Sequence, residues 1–283
     1  MGKWIKKNRN AIPFIILLII HIGMLVILLK RIQNRRHTIV LLLTNIGFAY
    51  IFETIVLNLF HAYRYIPKIF KNKFQDNIIG AIFSQAIYVP VVATFITIFK
   101  LNWKWKLFFT TYFAIVERIF IHLKIFKTGW WKTYYTFGLI LVYFYISDMW
   151  SFFLKRQIKI VKFISDYMAI YSLSLSGLFI YATLNQLKIG FGVVHTWKEH
   201  FTFIPIYSLL IVALHLWVNK VKKVYLYGIC QICFYLIDVI LVKLRLIKNQ
   251  KIPYLLFPYH LFIFYVTNKY ILVTKKELIK NSN

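Results

Sequence analysis

The stretch FFTTYFAIVERIFIHLKIFKTGWWK, Phe108 to Lys132, decides the fold class. An apolar, aromatic run carries Glu117, Arg118 and His122 in its middle. It ends in a border of Lys127, Trp130, Trp131 and Lys132. Tryptophans mixed with cations mark the headgroup level of a bilayer. A charged side chain at the centre of hydrocarbon costs about 2.5–3.5 kcal/mol even on the lenient insertion scale, so Glu117 and Arg118 must face other helices, water or each other. The stretch predicts a helix of a membrane bundle that buries a few charged groups.

Composition points the same way. Apolar residues make up 60% of the 283, against about 45–50% in soluble domains. Thirty-six Lys+Arg against 8 Asp+Glu give +28, a balance that would suit nucleic acid if the cations formed one patch. They do not. They fall in short groups between apolar runs: Lys30, Arg31, Arg35 and Arg36; then Lys68, Lys71 and Lys73; then Lys155, Arg156, Lys159 and Lys162. Loops that meet anionic headgroups have this pattern. The expected partner is therefore a bilayer with anionic headgroups and not nucleic acid. A second copy of the chain, or a membrane partner protein, is a further candidate.

Hydropathy divides the chain into spans at Ile12–Leu29, Ile39–Phe60, Ile78–Phe99, Leu107–Phe126, Thr133–Leu154, Phe163–Leu187, Phe201–Val218 and Val224–Leu244, with a less regular ninth at Ile252–Val273. The prediction is an all-α, polytopic transmembrane bundle of eight or nine spans, forming one integral membrane domain over residues 1–283. The first run resembles a signal peptide, but Lys30 and Arg31 follow it directly without a small-residue cleavage site, so a retained span is expected. Residues 61–77 mix aromatics with cations. They read as an interfacial segment, with Tyr63, Tyr65, Ile66 and Phe70 dipping into the headgroups. Pro90 predicts a kink in the third span. Lys+Arg counts on alternate connections nearly balance, so the positive-inside rule assigns no orientation.

The acids carry the functional reading. Glu53, Glu117, Asp148, Asp166 and Asp238 lie in or at the edge of apolar runs, whereas Asp76, Glu199 and Glu277 lie in connections. Ionisable groups at membrane depth mark ion or substrate pathways by default. Glu53 and Glu117 are the primary candidates, Arg118 and His122 their expected tuning partners, and Asp148, Asp166 and Asp238 the remaining polar-core candidates. Two readings follow. One is transport of a small solute, a proton or a cation through a polar bundle core. The other is a non-catalytic scaffold or partner subunit whose acids form structural interhelical pairs.

An echo runs through the chain. VERIFIHLKIFK (Val116–Lys127) aligns without gaps on IDVILVKLRLIK (Ile237–Lys248), and Leu57-Asn58 on Leu184-Asn185. This predicts one leading helix followed by two four-helix repeats, over residues 38–154 and 163–273, in parallel orientation. Glu117 then corresponds to Asp238.

No phosphate-binding glycine loop, dinucleotide fingerprint, H-E-x-x-H or G-x-S-x-G is present. Cys230 and Cys233 sit inside an apolar run, where thiols act as small apolar fillers. Lys269 is the sole loose candidate for a Schiff-base lysine. No catalytic, metal or cofactor residues are assigned, and no cofactor is expected.

The stretch HAYRYIPKIFKNKFQDNIIGAIFSQ (His61–Gln85), the Val89-Pro90 pair and ERIFIHLKIFKTGWWKTYYT (Glu117–Thr136) resemble uncharacterised multi-pass membrane proteins of low-GC spore-forming Gram-positive bacteria. The resemblance covers roughly residues 50–150. It implies a cell-membrane location and little else.

Overall fold

Asparagine caps set the frame of the first half. Asn34 accepts from His37 N at 2.9 Å, Asn72 from Phe74 N at 2.9 Å, and Asn102 from Lys104 N at 3.1 Å. Each satisfies a backbone donor that the first helical turn leaves open. The computed structural model describes residues 9–32, 34–185, 188–190, 196–221, 224–247 and 252–280. Among these the chain forms nine helices: α1 (Ala11–Arg31), α2 (Arg35–Leu59), α3 (Lys73–Ile98), α4 (Trp103–His122), α5 (Thr133–Lys155), α6 (Lys159–Asn185), α7 (Trp197–Val221), α8 (Val224–Lys243) and α9 (Ile252–Lys280). Seven of them are long and apolar enough to cross a membrane. α4 falls outside that set because it carries Lys104, Lys106, Glu117 and Arg118. The chain is an all-α, multi-pass membrane protein, and exposed residues such as Ile19, Phe108, Ile115 and Val142 suit contact with hydrocarbon.

α2 and α3 are not uniform. Thr54–Leu59 and Phe83–Tyr88 wind as wider π turns. The second lies just before Pro90, so the expected kink is taken up as π geometry, which gives the pyrrolidine ring room within a continuing helix.

The start of the connection expected at the interface is instead folded into the protein. β1 (Tyr63–Tyr65) pairs antiparallel with β2 (Phe126–Thr128), with Tyr63 opposite Thr128 and Tyr65 opposite Phe126. The fourth span accordingly ends at His122 rather than Phe126. Strand pairing sends alternate side chains inward, so Tyr63 and Tyr65 are buried. They pack on Phe126 at 5.1 and 5.0 Å between ring centroids. Tyr65 lies so close to α3 that a β-carbon on Gly80 would come within 2.4 Å of its own β-carbon.

The chain divides into two compact units, Met1–Ser165 and Asp166–Asn283. The boundary falls within α6. In the first unit α1 docks on α3, where Tyr88 Oη donates to Phe14 O at 2.7 Å. The Phe14 ring then packs on Phe120 of α4 at 4.8 Å.

Candidate functional site

The first unit encloses a cavity of about 480 Å³, within the range of about 300–1,000 Å³ typical of small-molecule sites. Its walls are mainly aromatic and aliphatic, and include Phe14, Tyr88, Phe113, Phe120 and Trp131. Leu139, Val142 and Ile146 of α5 line it and are also exposed. The cavity thus reaches the outer apolar surface along α5.

Two carboxylates are held at this cavity. Glu117, on the buried face of α4 with Thr110, Phe113 and Phe120, forms part of the wall. Its Oε2 accepts from the Thr136 hydroxyl, which in turn accepts from Trp131 Nε1 at 2.7 Å. Glu53 lies just before the π turn of α2. Its Oε2 accepts from Tyr63 Oη at 2.7 Å and from Gln85 Nε2 at 2.8 Å, and both donors line the cavity. The remaining oxygen of each acid, Oε1, is buried without a protein partner among the described residues. Buried polar atoms are rarely left so. Burial first, and the charge of Glu53 next, push the Tyr63 phenol well above its ordinary value, with Glu117 contributing further. Tyr63 therefore remains a donor.

Arg118 and His122 do not tune these acids. Both are exposed and line a shallow outer groove with Thr111, Ile115 and Thr133. The reason is angular: Arg118 is turned about 100° from Glu117 on the helix, beyond the narrow buried face. Both acids are held by neutral donors instead of cations.

Asp148 belongs to a different cluster. Lys106 Nζ lies 2.5 Å from its Oδ2, and Thr97 donates to Oδ1 at 2.6 Å. Thr97 also meets Ser147, which accepts from Asn45 Nδ2 at 3.0 Å. Trp103 and Trp105 alternate with Lys104 and Lys106, the pattern of a headgroup border, yet Lys106 is buried. One signal could have placed it, since it shares a helical stripe with Thr110 and Glu117. Asp166 is half-buried in the second unit.

Asp238 is fully buried in the second unit. Tyr207 of α7 donates to Oδ1 at 2.7 Å, and His260 Nε2 of α9 lies 2.9 Å from Oδ2. The His260 ring stacks on Phe234 of α8 at 4.8 Å and 9°. On the sequence His260 is one of eight scattered histidines, and nothing in its own span points to Asp238.

No family model, curated protein or solved structure matches the chain. The resemblance to bacterial membrane proteins therefore gains no support from these comparisons. Cys230 is buried, Cys233 is exposed, and both are free thiols. No group of three or more His, Cys, Asp or Glu suited to a metal ion occurs among the described residues.

Proposed function

We propose that the chain is a transport protein of the cell membrane that takes a small, largely apolar solute into the cavity of the first unit. Glu117 and Glu53 link its movement to protons. One observation carries this reading: an aromatic cavity, reached along the apolar surface of α5, has in its wall a buried carboxylate with one unpartnered oxygen. Such a group is costly to retain for packing alone. The apolar walls argue against a bare or hydrated ion, which would need oxygen ligands along its path.

Vesicles containing the full chain, loaded with a pH-sensitive dye and given a panel of aromatic solutes, test this. Solute-dependent proton movement is expected with the wild-type protein and is lost in folded Glu117→Gln. No proton movement across the panel from folded wild type overturns the transport reading.

The scaffold reading draws on the other acids. Lys106–Asp148 and His260–Asp238 join different helices within their units, as structural pairs do. It predicts that neutral replacements impair assembly and leave any flux unchanged.

A further inference from the structure

Beyond the sequence echo, the backbones around Glu117 and Asp238 follow the same course. Leu123 N bonds Ile119 O at 2.9 Å, and Leu244 N bonds Ile240 O at 2.8 Å. Lys124 and Arg245 then take positive φ, 59° and 58°. Ile125 N returns to Phe120 O at 3.0 Å, and Leu246 N to Leu241 O at 2.9 Å. The chain then pairs with an earlier connection, the one between α2 and α3 in the first case and between α6 and α7 in the second. Ile66 N donates to Ile125 O, and Gly190 N to Leu246 O, each at 2.9 Å. Tyr65 lies opposite Phe126, and Ile189 opposite Ile247. The next helix holds that connection from its first turns, through Asn77 on Tyr65 N at 2.7 Å and His200 on Ile189 N at 3.2 Å. One constant spacing carries each α4 position onto its α8 counterpart. It places Glu117 on Asp238 and Phe113 on Phe234.

We infer that α2–α5 and α6–α9 are copies of one four-helix module, and that a ligand completes around Glu117 the set of partners that Tyr207 and His260 complete around Asp238, so that the ligand's head is a nitrogen cation bearing N–H. This rests on the cavity reading above. In both modules the acid stands on the third helix and receives a bond from the fourth, from Thr136 of α5 in one and His260 of α9 in the other. In the second unit both oxygens of the acid are occupied, and the imidazole lies flat on Phe234. In the first, one oxygen of Glu117 is unpartnered, and Phe113 forms part of the cavity wall. A protonated amine on an apolar body satisfies both, through a charge-assisted bond to Oε1 and a cation on an aromatic face.

The test uses the full chain in nanodiscs and three probes of one shape: 4-phenylbutylamine, 4-phenylbutanol and the trimethylammonium analogue of the amine. Saturable binding is read by calorimetry. The amine is expected to bind about tenfold or more tighter than the other two, as a charge-assisted bond requires. Glu117→Gln removes that preference. Equal binding of amine and alcohol overturns the inference and leaves the cavity reading standing. Equal binding of the amine and its trimethyl analogue overturns the need for N–H. Binding of none of the three overturns the cavity reading as well. If Glu117→Gln does not fold, the comparison among probes on the wild-type protein still decides.

Discussion

Replacing His260 by leucine isolates the energetics of the acid in the second unit. Asp238 and His260 are both fully buried, and the imidazole Nε2 is the partner of Oδ2 at 2.9 Å. Leucine fills much of the ring's volume, so the cavity left behind is small and the electrostatic loss dominates. If the pair is carboxylate and imidazolium, removing one partner strands a buried charge, which costs about 3–5 kcal/mol. If it is a neutral hydrogen bond, the cost is nearer the average of about 0.6 kcal/mol found for polar pairs between membrane helices. The two cases differ by about fiftyfold or more in the unfolding equilibrium, so one measurement separates them.

Tyr207 keeps its bond to Oδ1 in the variant and cannot neutralise the charge. In the ionic case the larger cost therefore applies. Asp238→Asn added to His260→Leu removes the stranded charge and should recover part of the loss, with a coupling energy of about 1–3 kcal/mol. Reversible unfolding in mixed micelles, followed by circular dichroism across the four proteins of the cycle, reads each term. A His260→Leu protein as stable as wild type would refute the ionic pair. So would a double variant no more stable than the single one.

Three further outcomes follow from the first unit. Gly80→Ala places a methyl 2.4 Å from the Tyr65 β-carbon and should cost about 1–3 kcal/mol by overpacking, seen as a lower melting temperature. Lys106→Met should cost only about 1 kcal/mol or less, because the Asp148 side chain is 35% exposed and keeps Thr97, and the same unfolding assay checks it. Burial first, and Glu53 next, raise the phenols of Tyr63 and Tyr65 well above their ordinary value. Above about pH 10 the unfolded chain therefore holds fewer protons than the folded one, and stability falls as pH rises. Tyr63→Phe should make that decline shallower in melting curves taken on either side of that pH.

How far the sequence discloses the site depends on which interactions lie within one helix. Glu117 stands out because a carboxylate inside an apolar run is costly wherever the helix goes. Its neighbours follow from different rules. Arg118 adjoins it in sequence, but the helical turn carries it to the outside. Thr136, itself held by Trp131, meets it only because α5 returns along α4. Lys106 and Tyr63 carry signals that mislead for a common physical reason. A cation beside tryptophan, or a tyrosine among lysines, is what a headgroup border also contains, so composition cannot distinguish a buried partner from an interfacial anchor. What separates them is pairing elsewhere: Asp148 for Lys106, and the β1–β2 ladder together with Glu53 for Tyr63. The acids differ in the same way. Glu117 and Asp238 look alike in sequence, yet the fourth helix gives one a hydroxyl and the other an imidazole. Tyr207 then takes the second oxygen of Asp238, whereas among the described residues nothing takes Oε1 of Glu117, and that is why the first unit is where a ligand should be sought.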